Sequence, residues 1–90
     1  MLILSQDQSF ILNFDNIESI EIGNFEENRG RGIIYARLTS DYFYTIGEYN
    51  TIERAKEVLQ EIIEKYKESG IVKIDNLQAE NKIVYEMPEK

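Results

Sequence analysis

The spacing of apolar residues changes once along this chain, near Asn50, and that change divides it into two kinds of structure. Before it the pattern has a period of two. Leu2–Leu4 is short and apolar, and Gln6-Asp7 follows as a turn signal. Phe10, Leu12 and Phe14 then alternate with Ser9 and Asn13, although Ile11 interrupts the polar face. Asp15-Asn16 is a second turn signal, after which Ile20 and Ile22 oppose Ser19 and Glu21. Such alternation places one side of each strand inward. The polar run Glu26 to Gly32 reads as a mobile hairpin tip, and residues 33–39 and 42–49, joined by Ser40-Asp41, are rich in β-branched and aromatic side chains. Consecutive hairpins predict an antiparallel meander.

After Asn50 the apolar residues are Ile52, Ala55, Val58, Leu59, Ile62, Ile63 and Tyr66, which trace a single helical stripe. The spacing predicts a helix over 51–68. Asn50 or Thr51 can cap it, with Glu53 placed for a capping box behind Asn50, and Gly70 sits where a terminating glycine belongs. Lys65 and Lys67 suit the negative end of the helix dipole, and Glu61 is spaced to pair with Lys65. The tail predicts less. Ile71–Ile74 reads as a strand or an extended arm, Asp75–Asn81 as a loop, and Lys82–Met87 as a last strand ended by Pro88. The helix must bury its stripe, and the meander offers a matching face. The expectation is a single α+β domain over residues 1–90: an antiparallel sheet of roughly four to six strands with one long amphipathic helix packed on it.

Composition narrows the chemistry. The 90 residues contain no cysteine and no histidine, so thiolate and imidazole catalysis and disulfide staples are excluded together. Serines 5, 9, 19, 40 and 69 have no histidine to serve as base, and Glu57, Glu61 and Glu64 read as the solvated side of the helix. No catalytic residue, metal site or cofactor is expected. A net charge of −7 repels phosphate backbones, so duplex nucleic acid is not an expected partner. No segment has the length or apolarity of a membrane helix, and the first residues lack the basic and apolar regions of a signal peptide. A cytoplasmic protein is expected.

The feature that stands apart is basic and aromatic. Arg29, Arg31 and Arg37 are three of only four arginines, and they fall within nine residues, near Tyr35, Tyr42, Tyr44 and Tyr49. Guanidinium forks grip phosphates and tyrosines stack on bases, so Arg29, Arg31, Arg37, Tyr35, Tyr42 and Tyr44 form a candidate site for a partner or a small nucleotide. The competing reading is a solvated hairpin balanced by Glu26 and Glu27. The strand at 42–49 adds a second expectation. Tyr42, Tyr44 and Ile46 fall on one face and Phe43, Thr45 and Gly47 on the other, so one helix cannot cover both, and a homodimer would bury the surplus or pair two edge strands.

The run Gly47 to Ile62, the opening Leu2-Ile3-Leu4-Ser5-Gln6-Asp7 with Ile11 to Asn16, and the closing Tyr85-Glu86-Met87-Pro88-Glu89 together resemble a group of small uncharacterised proteins encoded in phages and prophages of Firmicutes. The middle, Gly23 to Asp41, is least typical of that group. The resemblance implies a phage context and a host-cell setting, and carries over no activity. It favours a non-catalytic accessory protein that binds a host protein, for takeover or against defence. The alternatives are a module that sequesters a small nucleotide and a small structural or assembly component.

Overall fold

A computed structural model describes residues 1–23, 30–39, 42–75 and 84–90, with residues 69–75 described as backbone only. The elements are β1 (Leu2–Leu4), β2 (Ile11–Asn13), a 3-10 turn (Phe14–Asn16), β3 (Ser19–Gly23), β4 (Gly32–Thr39), β5 (Tyr42–Tyr49), α1 (Ile52–Asp75) and β6 (Val84–Glu86). The α+β architecture expected from the pattern is present, and its strands fall in two three-stranded sheets. One sheet has the order β2-β1-β6, the other β3-β4-β5. The second is the antiparallel meander. In the first, β6 returns beside β1 in parallel, with Ile3 opposite Tyr85. That pairing links strands more than 80 positions apart, which no local pattern can specify.

Both sheets present one face to a common core. Ile3, Leu12 and Tyr85 lie on one rung of the first sheet. In the second, Ile20, Ala36 and Tyr44 share a rung, as do Ile22, Ile34 and Gly47. The helix supplies Ala55, Val58 and Ile62, each at most 1% exposed, and these pack in one cluster with Ile3, Ile34, Ala36, Ile46, Tyr49, Tyr85 and Met87. A β-bulge at Ile46 sets both Ile46 and Gly47 inward. The strict alternation expected for 42–49 is therefore corrected at Gly47, which faces the core and not the outer side. A side chain there would meet Met87 Cε at 2.9 Å and the Tyr49 ring at the same distance.

The helix begins where Thr51 Oγ1 accepts from the Arg54 backbone N–H at 3.0 Å, so Thr51 is the cap and the Asn50–Glu53 capping box does not form. It runs past Gly70 to Asp75. The expected stop at 68 is thus corrected, and so is the strand or arm expected at 71–74. A glycine inside a helix costs about 1 kcal/mol relative to alanine and does not forbid it. Glu61 does not pair with Lys65. It accepts from Arg54 and Tyr85, and Lys65 pairs with Glu68 at 3.5 Å. The tip at Glu26 to Arg29, the Ser40-Asp41 turn and most of the 75–81 loop lie outside the described residues.

The β1–β2 hairpin turns at Gln8, whose φ of 61° is in the left-handed region. Asp7 organises the turn by accepting from Ser5 Oγ at 2.8 Å, Ser9 Oγ at 2.7 Å and Ser9 N at 3.0 Å. These bonds hold its carboxylate below the usual range. Gln6 then reaches the second sheet: its amide accepts from Glu48 N at 2.7 Å and donates to Glu48 O at 2.9 Å. Gln6 N also donates to Ile46 O at 2.9 Å. The start of the chain thereby meets the outer edge of β5 at Ile46 and Glu48.

Among the described glycines, Gly32 leaves the least room for a side chain, where the first turn of α1 approaches β4. A Cβ on Gly32 would lie 2.5 Å from Ala55 Cβ and 2.6 Å from Thr51 O, neither of which can swing aside. Gly32→Ala is expected to lose about 1–3 kcal/mol or more in a denaturant melt, because the helix must lift from the sheet. A variant as stable as the parent would contradict this close approach.

Candidate functional site

The register of β4 and β5 decides which candidate residues meet. Gly32 lies opposite Tyr49 at one end and Thr39 opposite Tyr42 at the other. At about 3.3 Å per residue, those ends are roughly 20 Å apart. Arg31 stands just before the first end and binds Glu48 Oε2 at 2.9 Å, with both side chains about half exposed at 50% and 48%. It therefore lies far from Tyr42 and Tyr44. Arg29 lies outside the described residues.

Arg37, Tyr35 and Phe43 do converge. Tyr35 and Arg37 point to the outer face of the meander, on rungs shared with Glu21 and with Ser19 and Phe43. Arg37 Nε donates to Glu21 Oε2 at 2.7 Å, and its guanidinium carbon sits 5.8 Å from the centre of the Phe43 ring. The Glu21 bond draws the Arg37 pKa up and the Glu21 pKa down. Tyr35 meets the same ring edge-on, with centroids 5.4 Å apart. Tyr44 leaves the sheet on the opposite side, where its ring lies 5.7 Å from that of Phe10. The result is an aromatic tip at the end of the β4–β5 hairpin: Tyr42, Phe43 and Tyr44 are 66%, 55% and 46% exposed. Phe43 and Phe10 were not singled out by sequence. Phe43 was legible as the residue between two tyrosines, but only the register sets it beneath Arg37.

A second cluster sits where the end of the chain docks. Tyr85 Oη donates to Glu61 Oε1 at 3.0 Å, and Tyr49 Oη donates to Pro88 O at 2.9 Å. Arg54 binds Glu57 at 3.0 Å and Glu61 at 3.4 Å, and donates to Lys90 O at 3.0 Å. Burial pushes the Tyr49 hydroxyl up to about 12, and burial together with the Glu61 carboxylate pushes Tyr85 up as well. This network fastens β6 and the residues after it to the helix, so Glu61 is not the freely solvated residue expected. Among the described residues no three acidic side chains converge as metal ligands, and no helix is long and apolar enough to cross a membrane.

The two buried tyrosines set an alkaline limit. Their folded pKa values are raised above the ordinary value of 10, so their contribution to stability is complete below pH 10 and is lost as pH rises through the folded values. Melting temperature is expected to fall from about pH 10 upward. Tyr49→Phe is expected to flatten that fall, and an equally steep fall in the variant would contradict the assignment.

Comparison of the chain with protein-family models, with curated proteins and with solved structures finds no match in any of the three.

Proposed function

We propose that this chain is a non-catalytic binding module that occupies a protein partner through the aromatic tip of the β4–β5 hairpin. The observation that carries this is the run Tyr42-Phe43-Tyr44, exposed at 66%, 55% and 46%, beside Arg37. Tyrosine, phenylalanine and arginine are the residue types enriched at the centres of protein interfaces, where a few of them supply most of the binding energy. The Phe43 ring is held between Tyr35 and Arg37, so little side-chain freedom remains to be lost on docking.

The resemblance to phage-encoded proteins supplies the setting. In this reading the chain is an accessory protein in the host cytoplasm and its partner is a host protein, engaged for takeover or against a defence system. Nucleotide sequestration is the weaker reading. Arg31 is ion-paired to Glu48 at one end of the hairpin and Arg37 to Glu21 further along, so the two guanidinium groups do not converge on one phosphate. Duplex DNA is disfavoured by the net charge of −7.

The test begins with partners captured from host lysate on the parent protein and continues with the purified partner by calorimetry. Tyr42→Ser with Phe43→Ser is expected to raise Kd at least about 30-fold, given that such anchors each carry about 1–2 kcal/mol or more. An unchanged Kd would move the interface elsewhere. A nucleotide that raises the melting temperature of the parent, and fails to do so for Arg37→Ala, would replace this reading with the sequestering one.

A further inference from the structure

The segment Val84–Lys90 is seated on the rest of the domain as a separate extended peptide would be. Its strand β6 adds in parallel to the edge of β1, and the Met87 N–H carries the pairing on to Leu4 O at 3.1 Å. Tyr85 and Met87, two residues apart, are buried, while Val84, Glu86, Glu89 and Lys90 stay exposed. A strand added in this way gains affinity from its main chain and specificity from its alternate side chains.

Beyond β6 the seat also reads main chain. Tyr49 Oη donates to Pro88 O at 2.9 Å, Gln6 Nε2 to Glu89 O at 2.8 Å and Arg54 Nε to Lys90 O at 3.0 Å. Three consecutive carbonyls thus meet side-chain donors from the turn after β1, the end of β5 and the first turn of α1. Groups outside the segment orient these donors. The Gln6 amide bonds both backbone groups of Glu48, Glu57 and Glu61 take Arg54 Nη1, and the Arg54 guanidinium carbon lies 5.9 Å from the centre of the Tyr49 ring. A groove of about 370 Å3 lined by Glu48, Tyr49, Asn50 and Arg54 runs alongside Glu89 and Lys90.

We infer that Val84–Lys90 is a detachable strap and that its seat is a peptide-binding groove occupied by the chain's own segment. When the strap opens, the groove takes another extended segment of the same pattern, with an aromatic residue and a methionine two positions apart. The balance of forces favours opening short of global unfolding. All seven residues give up backbone freedom on docking, and only two buried side chains and a few hydrogen bonds offset that loss. The bonds from Gln6 and Arg54 are exposed to solvent, where the net gain per bond is small. Opening leaves Ile3 paired with Leu12 on β2, and leaves Ile34 and Ala36 packed with Ala55, Val58 and Ile62. The seat lies at the Tyr49 end of β5, away from Tyr42, so the inference does not depend on the partner proposed for the aromatic tip.

Native-state hydrogen exchange on the whole chain reads the opening. The Met87 amide is expected to exchange at least about tenfold faster than the slowest amides of β4, at a rate that low denaturant leaves unchanged, as local opening requires. A peptide with the sequence of residues 84–90 then reads the seat. It is added to the isotope-labelled protein at a few millimolar, about the effective concentration of a tethered segment. The Tyr85 and Met87 signals of the protein are expected to move to those of a free chain. The peptide carrying Tyr85→Ala and Met87→Ala is expected to leave them in place. A Met87 amide that exchanges at the β4 rate, with the same dependence on denaturant, overturns the inference, because the strap then opens only with the whole domain. So does a parent peptide that fails to displace the strap, or an alanine peptide that displaces it equally well.

Discussion

Burial of one helical stripe holds this domain together. Ala55, Val58 and Ile62 are the only side chains of α1 at or below 1% exposure among those described, and they meet residues of both sheets in one cluster. Among the described residues neither sheet has a second layer of its own. The β2-β1 pair and β6 are three-residue strands, too short to be stable without a packed face. Their inner residues Ile3 and Tyr85 find that face in the same cluster. Gly32 sets how closely the helix can approach, because only a hydrogen there leaves room for Ala55 and the Thr51 carbonyl. The position of the helix then decides what is covered and what is left outside.

What it leaves outside is what the proposed function uses. The helix crosses the meander toward the Gly32 end, so the far end of the β4–β5 hairpin projects with its aromatics exposed. Arg37 and Glu21 neutralise each other on the outer face, and their pairing orients the guanidinium along the Phe43 ring. Glu57, Glu61 and Glu68 lie away from the tip on the helix, where Arg54 and Lys65 pair with them. The tip is thus an apolar, locally balanced surface on an acidic body.

Much of the fold was legible because it depends on periodicity. The stripe from Ile52 to Tyr66 announced the helix, and alternation at Ile20 and Ile22 and the β-branched and aromatic content of 33–39 announced strands that the structure contains. The missed strand pairing depends on contacts distant in sequence. Nothing in Val84-Tyr85-Glu86 says that it lies parallel to Leu2–Leu4, since that pairing is set by the core that Tyr85 and Ile3 share. The end of the helix was misplaced because Gly70 reads as a stop only if no further turn follows. The bulge at Ile46 was invisible because it is fixed by the room Gly47 leaves for Met87 and Tyr49. The same holds for the site. Arg31, Arg37 and the tyrosines are close in sequence, but an extended hairpin spreads neighbours apart, so only Tyr35 and Arg37 of that set converge on Phe43. The Glu61–Tyr85 bond joined residues that sequence had treated separately.

One core beneath the helix unites both sheets. Equilibrium unfolding followed residue by residue by NMR tests it most directly, with Ile3 reporting on the β2-β1-β6 sheet and Ile34 on the meander. The two signals are expected to vanish at the same denaturant midpoint and with the same slope, as one cooperative unit requires. Loss of the Ile3 signal at a clearly lower midpoint, with Ile34 still native, would show that the first sheet folds apart from the helix and would contradict it.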